Sequence, residues 1–136
     1  MTPDLTPDIM YLAYTAILTA ALWIPYIVGQ VVTGGMLTPA HYKDVTLRTK
    51  DLPAWLERAN RAHINAVETF APFAAVVIAA HISGTANETT ATAAMFYFWI
   101  RVAHPVVYIL GLPYLRTLVF ALGFIATLVI GWQIIG

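Results

Sequence analysis

Apolar residues run along this chain in four long blocks with shorter polar stretches between them. No charged residue occurs between Asp8 and Lys43, and the apolar part of that stretch covers about residues 9–32. Three further blocks cover about 62–82, 92–112 and 117–135. A helix crossing a bilayer needs about 20 predominantly apolar residues. The pattern therefore predicts an all-α chain, a single integral membrane domain over residues 1–136 built as a four-helix transmembrane bundle. The first block is too long for the apolar part of a signal peptide. Its flank, MTPDLTPD, carries acids where such a peptide has bases, so the segment is expected to be retained. Pro25, Pro72 and Pro105 each fall inside a block, where they predict ordinary kinks. Thr38-Pro39-Ala40-His41 reads as a turn after the first helix.

Composition agrees with the pattern. Sixty per cent of residues are apolar and 10% charged, against about 25% charged in a soluble domain, and the mean hydropathy is +0.73. Seven basic residues balance seven acidic ones, which gives nucleic acid no electrostatic footprint. With no cysteine, disulfides, thiolate metal sites and a cysteine nucleophile are excluded. The charges divide by loop. Lys43, Arg48, Lys50, Arg58 and Arg61 lie in the polar stretch 33–61, and Arg116 lies in the third connection, 111–116. The N-terminal tail has Asp4 and Asp8, and the second loop has Glu88. Positive charge marks cytoplasmic loops, so the 33–61 and 111–116 loops are expected in the cytosol and both termini outside it.

Two polar clusters interrupt the apolar blocks, although a charge at mid-bilayer costs roughly 2.5–3.5 kcal/mol even on a lenient scale. In the second block Arg61, Asn65 and Glu68 fall at i, i+4 and i+7, one stripe of a helix. In the third, Arg101, His104 and Tyr108 fall at i, i+3 and i+7, again one stripe. The two stripes are expected to face each other or a shared polar cavity. They can be packing devices, with Glu68 paired to an arginine and Asn65 bonding across helices. They can equally form a cavity for a ligand with carboxylates and an amine, since guanidinium groups clamp carboxylates and Glu68 can receive an ammonium. His63 and His81 sit near the two ends of the second block and are expected to be solvated, with no metal site. Trp23, Trp99 and Trp132 suit packing or interfacial anchoring.

The stretch ERANRAHINAVETFAPF, residues 57–73, resembles the signature of the MAPEG superfamily, the membrane-associated proteins of eicosanoid and glutathione metabolism. Arg61, His63, Asn65 and Glu68 occupy its arginine, histidine, asparagine and glutamate places. The order Arg101, Tyr108, Arg116 is similar to the arginine–tyrosine–arginine order of the family's third helix. Gly29-Gln30-Val31 looks like the end of the first helix in its prostaglandin E synthase branch.

The resemblance implies a homotrimer, microsomal glutathione transferase-like, with glutathione as co-substrate between neighbouring subunits near the cytosolic side. It implies that Arg61, His63, Asn65 and Glu68 hold the tripeptide from the second helix and Arg101 and Tyr108 from the third. Arg116 would stand near the thiol, and His104 takes a place where some members have tyrosine. Turnover would then rest on Arg116 and Tyr108, with membrane lipid and a hydrophobic small molecule as the other partners. One departure bears on activity: the family's enzymes commonly place an arginine just after the position of Val31, and this chain has Val32. A non-catalytic lipid-binding scaffold of the same superfamily, or a structural or transport subunit, are the alternatives to a glutathione transferase or peroxidase.

The charge pattern makes a direct prediction. A tag at either terminus should be labelled from outside the cytosol and a reporter at Lys43 from inside; the opposite labelling would overturn the orientation.

Overall fold

The computed structural model describes residues 5–33 and 52–136, and all of its regular structure there is helical. The predicted turn at Thr38–His41 and the basic residues Lys43, Arg48 and Lys50 lie outside the described residues. The helices are α1 Pro7–Ala21, α2 Trp23–Thr33, α3 Ala54–Ile82, α4 Glu88–Ile109 and α5 Pro113–Ile135.

Helices α1 and α2 are one apolar run, Pro7–Thr33, broken at Leu22. Pro25 has no N–H to give the carbonyl of Ala21, so the ladder lapses there. Pro72 and Pro105 lie inside α3 and α4, which continue past them. They withhold the same bond from the carbonyls of Glu68 and Arg101, four residues back. The stretch read as a loop through Arg61 is corrected at its end: α3 starts at Ala54, eight residues before the apolar block. Likewise α5 starts at Pro113, so Arg116 belongs to its first turn. Proline at the first position suits both the fixed φ and the missing donor.

Three segments are long and apolar enough to cross a membrane: Pro7–Thr33, Ala54–Ile82 and Pro113–Ile135. Helix α4 has the length, with 22 residues, but no 18-residue window of it is as apolar as those of the three spans. The reason is its place. It packs against α1, α3 and α5, so Arg101 and His104 are enclosed by protein. The three apolar spans bury only 17%, 22% and 22% of their most hydrophobic windows within the protomer. The rest of their surface requires lipid or further chains.

The core lies towards the Asn87 end, where Phe73, Val77 and Ala80 of α3 meet Ala93, Ala94 and Tyr97 of α4 and Ala126 and Ile130 of α5. The alanines let the backbones approach, which is how helices gain packing energy when lipid supplies no hydrophobic drive. Phe73 and Tyr97 stack with centroids 3.7 Å apart and rings 6° from parallel. Asn87 caps α4 through a reciprocal capping box with Thr90, and its Nδ2 donates to Gln133 Oε1 at 2.8 Å, tying the start of α4 to the end of α5.

At the other end α2 leans on α3 through Gly29. A Cβ there would collide with the Leu56 side chain and come 2.8 Å from the Trp55 ring. Leu56 is fully buried and cannot yield. Gly29→Ala should therefore cost about 1–3 kcal/mol by overpacking, read as a lowered melting temperature in detergent. Unchanged melting would show that α2 is not held in this contact.

Candidate functional site

The polar residues of α3 and α4 meet at one point. Arg101 Nη1 donates to Asn65 Oδ1 at 3.2 Å. The guanidinium also lies over the ring of Tyr97, 5.0 Å from its centroid. Tyr97 in turn donates from its hydroxyl to the Thr69 carbonyl at 3.0 Å. Arg101 is 3% exposed, and among the described residues no carboxylate pairs with it. Its Nε is buried without a hydrogen-bond partner. A buried cation held by one amide and one ring is short of counter-charge. Helix α5 makes room for it at Gly123, where a Cβ would lie 3.3 Å from Arg101 Nη2.

A second group forms between α4 and α5. His104 is 1% exposed, and its ring centroid is 5.5 Å from that of half-buried Tyr108. Over the Tyr108 ring lies the Arg116 guanidinium, 4.9 Å from the centroid. His104 Nδ1 is buried with no hydrogen-bond partner.

The two stripes, expected to face each other or a shared polar cavity, touch at one residue of α3 among the described residues. Only Asn65 faces α4. Arg61 and Glu68 are exposed on the protomer surface, and His63 is half-buried with Nδ1 lacking a partner. Glu68 forms no ion pair among the described residues, so no arginine there supplies the pairing expected for it. A carboxylate and a guanidinium therefore stand on the open face of a membrane-spanning helix.

Beside Arg101 an apolar groove of about 250 Å³ runs between α3 and α5 over α4, with Pro72, Val76, Phe120, Phe124 and Leu128 on its walls. Among the described residues no three His, Asp or Glu gather as a metal site. His81 is exposed beside Thr6, 3.5 Å from its hydroxyl. Val32 is 77% exposed at the end of α2.

An all-helical chain with spans of membrane length and polar groups in their middles defines an integral membrane protein. The sequence pattern of the MAPEG family matches residues 10–136, and the chain belongs to that family. It is thus a membrane protein of the superfamily of eicosanoid and glutathione metabolism. No curated protein and no solved structure matches it.

Sequence spacing missed two contributors. Tyr97 was hidden as one aromatic among several in FYFW, and Gly123 as an ordinary small residue of an apolar span. Tyr97 and Arg101 stand at i and i+4 on one helix face, a signal that could have drawn it in.

Asn65→Ala removes the one side-chain acceptor found for Arg101. It should destabilise the protein by about 1.5–3 kcal/mol, the usual worth of a hydrogen bond to a charged group, while Asn65→Asp should hold or raise the melting temperature. Equal melting of all three proteins would show that Arg101 has another counter-group.

Proposed function

We propose that this chain binds glutathione through its α3 and α4 residues and uses it on hydrophobic electrophiles or lipid hydroperoxides. The observation that carries the reading is the distribution of charge. Among the described residues, buried Arg101 has no carboxylate, and Glu68 and Arg61 on the α3 surface have no ion pair. Glutathione has two carboxylates and one ammonium, and these groups complement that set. An exposed carboxylate and guanidinium on a membrane-spanning face also need cover from a neighbouring protein, which supports a homotrimer with the ligand between subunits.

Arg101 and Arg61 would hold carboxylates, Glu68 the ammonium, and Asn65 and His63 polar groups between them. Glutathione supplies a thiol, which becomes nucleophilic as the thiolate. A nearby cation or hydrogen-bond donor favours that form. The Tyr108 hydroxyl and the Arg116 guanidinium, held together by their ring contact, are the two donors for it. His104, packed on Tyr108, fixes the ring that carries the hydroxyl. The groove beside Arg101 would receive the hydrophobic partner directly from the bilayer.

A second reading keeps binding and drops turnover, as in a lipid-binding scaffold. Val32 favours it, since the cation of the family's enzymes is replaced there by an alkyl side chain.

Glutathione binding to the purified protein, followed by thiolate absorbance and turnover with a generic electrophile, separates the two. Glu68→Gln and Arg101→Met should each weaken glutathione about tenfold or more, as each removes a charge-assisted bond of roughly 1.5–3 kcal/mol. Native mass spectrometry should still find trimers, and ligand-free Glu68→Gln should melt like the parent. If Glu68 instead neutralises a buried arginine of a neighbour, that variant should lose about 3–5 kcal/mol and bind glutathione normally, which would refute the reading. Tyr108→Phe should lower turnover more than binding.

A further inference from the structure

Arg58 lies in the second turn of α3, outside the set assigned to glutathione, and reaches across to the far end of α4. Its Nε donates to the carbonyl of Ile109 at 2.7 Å. Ile109 is the last residue of α4, and the carbonyls of a final helical turn have no intrahelical donor. A guanidinium there satisfies one of them and meets the negative end of the helix dipole. Among the described residues this is the one side-chain hydrogen bond between α3 and the α4–α5 turn.

The turn itself is tight. The N–H groups of Leu110, Gly111 and Leu112 return to the carbonyls of Val106, Tyr108 and Val107. Gly111 has φ +74°, a conformation L side chains rarely adopt. A Cβ on it would come within 3.4 Å of the Arg58 guanidinium carbon, so the guanidinium lies against the bare backbone. Tyr108 precedes this turn and Arg116 follows it in the first turn of α5. Arg61 and Asn65 continue the α3 face from Arg58 at i+3 and i+7.

We propose that Arg58 is a positioning residue for the site: it locks the α4–α5 turn to α3 and thereby sets Tyr108 and Arg116, which stand on either side of that turn. Arg58 touches no reacting group in this arrangement. It acts through the Ile109 carbonyl and Gly111. The catalytic part of the inference rests on the glutathione reading; the structural part does not.

The test uses the full-length protein with Arg58→Met, which keeps the apolar stem and removes the donors, and Arg58→Lys, which keeps one point donor. Hydrogen exchange followed by mass spectrometry should be faster by about tenfold over residues 106–116 in Arg58→Met and unchanged over 62–82, as expected for a local opening. Glutathione affinity should stay within about threefold while kcat falls about tenfold or more, the mark of a group that matters to the transition state only. Arg58→Lys should recover part of both the protection and kcat. Exchange unchanged over 106–116 would overturn the proposal. So would affinity, kcat and melting temperature falling together with faster exchange throughout the chain. If the parent binds no glutathione, the functional reading fails, and exchange over 106–116 in the two variants still decides whether Arg58 locks the turn.

Discussion

The constraint on which the structure turns is the Arg101 guanidinium, a full positive charge in the middle of a helix with no carboxylate to meet it among the described residues. A helix carrying that group can neither face lipid nor stand at the edge of a bundle without a large penalty. Helix α4 accordingly turns its Arg101 face inward and packs against α1, α3 and α5. Everything near Arg101 serves to hold it. Asn65 accepts one bond, Tyr97 offers its ring face, and Gly123 leaves the space that any side chain would take. Tyr97 is then fixed from behind by the Phe73 stack and the Thr69 carbonyl. The polar contact and the apolar core are continuous.

Enclosing one charge leaves others outside. The same α3 that offers Asn65 inward presents Arg61 and Glu68 outward. Among the described residues neither the buried cation nor the surface carboxylate finds an opposite charge. A ligand carrying both signs would meet both, which is the physical case behind the glutathione proposal. The packing alternative invokes a Glu68–arginine pair, and among the described residues Glu68 has none. Under the glutathione proposal, Val32 would leave thiolate stabilisation to Tyr108 and Arg116. Their placement depends on a single tight turn around Gly111.

Much of the fold was legible because it follows from hydrophobic length. Four apolar blocks announced the helices, and the signature at 57–73 and the arginine–tyrosine–arginine order announced the family. Helix ends were less legible. Helix α3 extends back to Ala54 through charged residues, since an amphipathic turn at a membrane surface has no apolar run to mark it. The break at Leu22 was legible only as a proline inside a span. Helical periodicity places residues on a face of their own helix and says nothing of what that face meets. Both stripes were correct as stripes, and their expected union was correct at Asn65 alone.

The sequence by itself thus determined the class of protein, its helices, its family and the residue types available for chemistry, because burial in lipid demands apolar length and a motif is a local record. Only the tertiary structure decided which charges are enclosed and which are open. It put Arg101 inside and Glu68 outside, gave Tyr97 and Gly123 their work, and set Arg58 against the Ile109 carbonyl fifty-one residues away. These outcomes depend on how helices distant in sequence rotate and pack. That is fixed by the fit of side chains such as Phe73, Tyr97 and Leu56 across helices, and no periodicity within one helix encodes it.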